Sequence, residues 1–129
     1  MVLVDSSVWI DYLSLRASLI DQQLEALIKP VNQVVVTGII FQEVLQGIKN
    51  QRSYQLVHRL MGRLPFLVPT PGTHLKAAEI FRRLSALGAR SSTVDALIAA
   101  LAIENKIPLF TRDTGFRSVQ KHTQLKLFA

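Results

Sequence analysis

The sequence predicts an α/β domain built on a mostly parallel sheet. Three observations carry that reading. Short apolar runs, several of them β-branched, alternate with stretches whose apolar residues recur at helical spacing. The 129 residues suit a single domain, residues 1–129, with one core. No repeat, low-complexity tract or long linker interrupts them.

The elements follow in order. Val2-Leu3-Val4 reads as a short buried strand ending at Asp5, and Ser6 or Ser7 can cap a helix that starts there. Leu19 to Ile28 carries apolar residues at Leu19, Ile20, Leu24, Leu27 and Ile28, a helical stripe that Pro30 ends. Val34-Val35-Val36 is β-branched and predicts the second strand. Gly38 to Ile48 predicts a helix with Ile40, Val44, Leu45 and Ile48 on one face, and Tyr54 to Leu64 a further helix. Phe66-Leu67-Val68 reads as a strand closed by Pro69 and Pro71. Thr73 to Leu87 predicts a helix ended by Gly88. Ser92 or Thr93 starts a very apolar helix running to about Lys106. Pro108 to Thr111 is a strand, and Leu125-Lys126-Leu127 a candidate last one.

Composition narrows the function. The chain is 49% hydrophobic and 19% charged, which rules out a disordered chain. It has no cysteine, so disulfides, thiolate zinc sites and cysteine nucleophiles are excluded. Met1 to Asp5 carries no basic segment, and Asp5 and Asp11 interrupt any apolar stretch, so no secretory signal is visible. The longest apolar run, Ala96 to Ile103, falls far short of the roughly 20 residues that span a bilayer. The expected location is the cytoplasm. Fifteen Lys and Arg oppose nine Asp and Glu, a net charge of +6. Such a surface attracts phosphate backbones or an acidic partner, although a merely soluble basic protein has the same balance. There is no Gly-rich phosphate loop, and His58, His74 and His122 lack metal-ligand spacing. Trp9 is expected in the core or at an interface.

The scarce acidic residues are the informative ones. Asp5 and Asp113 follow apolar strands and would sit at the carboxyl edge of the sheet, where sites form in such folds. Glu43 is embedded in Ile39-Ile40-Phe41-Gln42-Glu43-Val44-Leu45, and Asp95 in Thr93-Val94-Asp95-Ala96-Leu97-Ile98. A carboxylate among apolar neighbours is costly to bury unless paired, hydrogen-bonded or metal-bound. Gathered carboxylates repel one another, and a hard divalent cation relieves that repulsion. Each residue also has a structural reading. Asp5 can cap a helix; Ser92 to Asp95 matches a capping box; Glu43 can lie on a solvated stripe; Asp113 before Thr114-Gly115 can be a turn residue. Their joint arrangement on an alternating α/β pattern is what favours a site.

That arrangement resembles the PIN-domain family, and within it the VapC toxins of type II toxin–antitoxin systems. Val4-Asp5-Ser6-Ser7-Val8-Trp9-Ile10-Asp11-Tyr12-Leu13 resembles the opening strand and helix of the family. Gly38 to Gly47, with Glu43, is similar to its second motif. Asp95-Ala96-Leu97-Ile98-Ala99-Ala100 is similar to the third, and Pro108-Leu109-Phe110-Thr111-Arg112-Asp113 to the fourth. The likeness in order and spacing covers nearly the whole chain.

The resemblance implies a three-layer α/β/α, Rossmann-like domain with a mostly parallel sheet of four or five strands. It implies Mg²⁺- or Mn²⁺-dependent endoribonuclease activity, often on structured RNA such as transfer RNA. It also implies a VapB-like antitoxin that wraps the toxin, and a homodimer. Carried over, Asp5, Glu43, Asp95 and Asp113 would form the catalytic acidic quartet. Asp5 and Asp95 would hold metal and Asp113 would support it. Glu43 would bind metal-linked water or help activate the attacking water, and Thr111 would orient this network. Arg112 and Arg117 are candidates for gripping RNA, though ordinary solvated charge accounts for them equally well. Arg82, Arg83 and Arg90 could extend a basic track, a role that simple surface exposure explains better. Many relatives carry a further acidic residue just before a phenylalanine that follows the fourth motif. Here Gly115 precedes Phe116, which weakens the case for a second metal ion and makes one-metal chemistry plausible. Two other readings stay open: a PIN nuclease of RNA or DNA processing without a toxin role, and a catalytically inactive RNA-binding module.

Overall fold

The computed structural model of the chain describes residues 1–14, 26, 28 and 33–128 and divides into two units, Met1–Val68 and Pro69–Ala129. In the first unit, β1 (Val2–Val4), β2 (Val34–Thr37) and β3 (Phe66–Leu67) are joined by α1 (Ser6–Leu13), α2 (Gly38–Gln46) and α3 (Gln51–Gly62). β1 pairs with β2 in parallel, Val2 opposite Val34 and Leu3 opposite Val35. β2 pairs with β3 in parallel, Val36 opposite Phe66 and Thr37 opposite Leu67. Every residue of β1 and β2 is buried. That is why both strands read as continuous apolar runs instead of alternating ones.

Packed around this sheet are α1 against α2 and α2 against α3. Leu3, Val8, Trp9, Val35, Ile40 and Met61 are fully buried and form the heart of the unit's core. The expected helix from Leu19 to Ile28 lies outside the described residues apart from Ala26 and Ile28, which are helical. α3 starts at Gln51, three residues before the apolar pattern suggests. The Asn50 side chain caps it by accepting the Ser53 N–H at 3.0 Å, so its first turn needs no apolar residue.

The second unit contains α4 (Pro71–Ala86), α5 (Thr93–Glu104), β4 (Leu109–Phe110) and α6 (Phe116–His122). α4 begins two residues ahead of the expected Thr73. Thr70 and Thr73 form a reciprocal capping box, and Pro71 occupies the first helical position, where its fixed φ suits the helix. Gly88 adopts φ +73° and closes α4: Ala89 N–H donates to Leu84 O at 2.8 Å and Gly88 N–H to Ser85 O at 3.1 Å, the Schellman pattern.

α5 is apolar nearly all round and accordingly buried from Ala96 to Ala102 on all but one position, as expected for a helix without a solvated face. It stops at Glu104, short of Lys106, by the same device. Ile107 N–H reaches Ala102 O and Lys106 N–H reaches Ile103 O, both at 3.1 Å, with Lys106 at φ +55°. The last expected strand reduces to a single parallel bridge, Leu109 opposite Leu127. Leu109 N–H donates to Lys126 O at 2.9 Å and Phe128 N–H to Leu109 O at 2.8 Å. No apolar pattern in the sequence predicts α6: it is only seven residues long, too short to show a helical stripe, and it is held by buried Phe116 and Val119. No helix among the described residues is long and apolar enough to cross a membrane.

Candidate functional site

Asp5 stands where β1 hands over to α1. It occupies the N-cap position with extended backbone, yet its side chain makes no capping hydrogen bond. The residue is 5% exposed, and its carboxylate accepts a hydrogen bond from Ser7 Oγ at 3.0 Å through Oδ2. A helix-capping aspartate is therefore not what this position holds. Ser7 expects a capping role from sequence; in the fold it turns toward Asp5 and offsets part of the cost of burying a carboxylate. Its signal was the Asp-x-Ser spacing. Six residues on, Asp11 is a second acidic side chain buried in α1, 8% exposed. It was read from sequence only as an interruption of an apolar stretch.

Glu43 lies on α2, between buried Ile40 and Val44. Its side chain is half-buried, less enclosed than its apolar flanks suggest, because the adjoining Gln42 and Gln46 are exposed. In the second unit, Asp95 is the acidic residue of the first turn of α5 and is half-buried. Ser92 Oγ accepts the Asp95 N–H at 3.0 Å and so caps the helix. The positive end of the helix dipole favours a carboxylate there.

Asp113 is exposed and organises the turn after β4. Its Oδ1 accepts the Gly115 N–H at 2.8 Å, and its own N–H donates to Thr111 Oγ1 at 3.0 Å. The turn role expected for Asp113 is thus real, and it coexists with a carboxylate held outside a strand end. Thr111 serves that turn. A Cβ at Gly115 would lie 3.1 Å from Asp113 Oδ1, so any larger residue there requires the carboxylate to shift by a few tenths of an ångström.

The described structure therefore joins Asp5 to Ser7 and Thr111 to Asp113 and Gly115. Among the described residues, no three His, Asp or Glu side chains form a ready-made metal cage. The candidate donors are all carboxylate oxygens, which suit a hard cation. Mg²⁺ takes one or two carboxylates and completes its shell with waters and phosphate oxygens, so the donor set fits such an ion without a protein cage. Arg112 and Arg117 are exposed, as are Arg82, Arg83 and Arg90. His58 is exposed and lies beside Phe41 and Tyr54 in tilted ring contacts, with centroids 5.9 and 6.4 Å away. Trp9 is fully buried.

Comparison with known proteins extends this picture. A family model described as the PIN domain matches residues 2–122. The chain is similar to ribonuclease VapC11 of Mycobacterium tuberculosis, 27% identical over 98% of this chain and 96% of that protein. A VapC ribonuclease of Mycobacterium bovis matches to the same extent. Among solved structures, VapBC2 from Rickettsia felis bound to a promoter DNA fragment superposes with a TM-score of 0.79. It is 20% identical over 99% of this chain and 98% of that one. VapC20 of Mycobacterium tuberculosis, a sarcin–ricin loop cleaving toxin, superposes with a TM-score of 0.73 at 19% identity, over 98% and 99% of the two chains. FitAcB from Neisseria gonorrhoeae gives 0.76 at 21% identity, over 100% and 97%. These likenesses establish the α/β fold with its parallel sheet along the whole chain.

Proposed function

The chain belongs to the PIN-domain family, and on that premise we propose that it is a metal-dependent endoribonuclease, the toxin of a VapBC-type pair. The observation that carries the reading is Asp5: a buried carboxylate at the carboxyl end of a parallel strand that does not cap the helix it precedes. Ligand sites in α/β folds lie outside such strand ends. The similarity to proteins named as VapC ribonucleases supports RNA as the substrate. The VapBC2 structure supports a VapB-like antitoxin as partner. A homodimer, a cytoplasmic location and transfer RNA as a target belong to the same reading.

Asp5 and Asp95 would hold the metal, Mg²⁺ or Mn²⁺, with Asp113 supporting it. When bound, the ion polarises the scissile phosphate and acidifies a water. Ser7 keeps the Asp5 carboxylate in place through its hydrogen bond. Glu43, half-buried, acts as general base: it takes the proton of the water whose oxygen attacks phosphorus while the bond to the leaving oxygen breaks. Thr111 orients Asp113 through the turn. Arg112 and Arg117 are assigned to the RNA backbone, for which the guanidinium fork is suited.

The test is cleavage of total RNA and of transfer RNA by the purified chain, freed of any antitoxin, in Mg²⁺ and in EDTA, beside Asp5→Asn. The expected outcome is metal-dependent cleavage that falls by about 10²-fold or more in the variant, the scale of losing a principal catalytic group. Equal cutting by both would assign the activity to a contaminant. No cutting by either, with RNA still bound, would leave a catalytically inactive RNA-binding module.

A further inference from the structure

The positive charge of the chain is unevenly distributed. Residues 69–129 hold nine Lys and Arg against four Asp and Glu, and residues 1–68 hold six against five. Five of the six net charges thus belong to the second unit. Part of that excess lines a cleft of about 600 Å³. Lys76 and Arg83 come to it from α4, and Lys121 and His122 from the end of α6; among the described residues Glu79 is the one carboxylate in the lining, and Ile80 and Ile103 add apolar surface. An adjoining hollow, which shares Ile103 and Gln124 with the cleft, adds Lys106 and Lys126.

The cleft is separate from the acidic residues of its own unit. From Asp95 to Ile103 along α5 is eight residues, about 12 Å at 1.5 Å per residue. Asp113 precedes the start of α6, whereas Lys121 and His122 close its end. Thr73, in the first turn of α4, donates to Glu104, the last residue of α5, at 2.8 Å. At their other ends Phe81 and Arg82 line a groove with Thr93, Ala96 and Leu97. The two helices are therefore antiparallel, and the cleft runs along α4 from Lys76 to Arg83, about 10 Å.

We propose that this cleft is a second RNA-binding site, which holds phosphates of the substrate backbone a few nucleotides from the bond that is cut. The proposal rests on the nuclease reading for its class of ligand. Backbone contacts require charge spaced along a track and fix register without reading bases. A protein segment would instead need a deep apolar pocket for an anchoring side chain, and two isoleucines among four cationic or imidazole side chains do not supply one. Arg83 and Lys121 are both exposed and both line the cleft.

The experiment measures binding of a long single-stranded RNA by fluorescence anisotropy over a salt series. It uses the full chain carrying Asp5→Asn to suppress cleavage, with and without Arg83→Gln plus Lys121→Gln. Loss of two phosphate contacts lowers the slope of log affinity against log salt by about 1.4. The parent's advantage then shrinks about sevenfold between 50 and 200 mM salt. Arg52→Gln plus Arg59→Gln, on exposed positions of α3, removes the same charge and is expected to leave the slope unchanged. The charge-conserving pair Arg83→Lys and Lys121→Arg is expected to bind as the parent does. An unchanged slope in the cleft variant, or an equal drop in the α3 variant, overturns the proposal. So does a cleft variant that keeps its RNA affinity but loses binding to polyglutamate, which would assign the cleft to an acidic protein. Because binding is read without cleavage, a wild-type chain that cuts no RNA while the cleft variant loses affinity would defeat the nuclease reading and leave the RNA site standing.

Discussion

Two aspartates show how one residue type does different work in different surroundings. Asp5 is buried and receives the Ser7 hydroxyl; Asp113 is exposed and folds its carboxylate back onto the Gly115 N–H. A Cβ at position 115 would press on the Asp113 Oδ1 at 3.1 Å. Gly115→Ala is therefore expected to rotate the Asp113 carboxylate. Gly115 is the N-cap of α6, where glycine is preferred to alanine, so the weakened turn hydrogen bond is not offset. Stability measured by urea unfolding should fall by about 1 kcal/mol, and RNA cleavage should fall under conditions where the variant is still folded. Cleavage unaffected by Gly115→Ala and by Asp113→Ala alike would return Asp113 to a purely structural role.

α4 and α5 end alike and differ in one residue. α4 is closed by Gly88 and α5 by Lys106, each in the left-handed region with the same pair of closing hydrogen bonds. An L side chain in that conformation costs about 1 kcal/mol, and glycine avoids it. Nothing lies within 4 Å of a Cβ at position 88, so Gly88→Ala is expected to destabilise the protein by about 1 kcal/mol from backbone strain alone. Lys106→Gly should stabilise it by a similar amount. Opposite shifts in thermal midpoint check both; a destabilising Lys106→Gly would show that the lysine side chain contributes more than the strain costs. The α4 start is tied to the end of α5 through Thr73, fully buried, which accepts the Thr70 N–H at 2.9 Å and donates to Glu104. Thr73→Val keeps the shape but removes the hydroxyl; its partners Thr70 and Glu104 are exposed and can turn to water, so the expected loss in chemical denaturation is about 0.5–1.5 kcal/mol.

For the molecule as a whole, charge sets the response to salt. With a net charge of +6, RNA affinity is expected to fall steeply as ionic strength rises. Three phosphate contacts to a single strand give a loss of about twentyfold between 50 and 200 mM salt. On the proposed reading, removal of the divalent ion abolishes cleavage yet leaves this salt dependence in place, because carboxylates would hold the ion and cations the RNA. Anisotropy in EDTA checks the second half. Affinity insensitive to salt would show that RNA is held by something other than phosphate contacts.

Much of this was legible in the residues themselves. Valine runs at Val2–Val4 and Val34–Val36, the apolar stripes of α2 and α4, and the near-uniform apolarity of α5 follow from periodicity and burial, both written locally in the chain. The placement of four carboxylates was legible for the same reason: Asp5 and Asp113 follow strands, and Glu43 and Asp95 lie on helices. What periodicity could not reach were features made by groups distant in sequence or by backbone hydrogen bonds. The seven-residue α6, the reduction of Leu125 to Leu127 to one bridge, and the early starts of α3 and α4 after the caps Asn50 and Thr70 belong there. So do the Ser7 contact that distinguishes Asp5 from a helix cap and the gathering of Lys76, Arg83, Lys121 and His122 on one cleft. Sequence alone determined which segments bury and where carboxylates meet strand ends, because side-chain hydrophobicity and backbone preference act over a few residues. Only tertiary structure decided which hydroxyl meets which carboxylate and which cations share a wall, because those are contacts across loops whose closure no local pattern encodes.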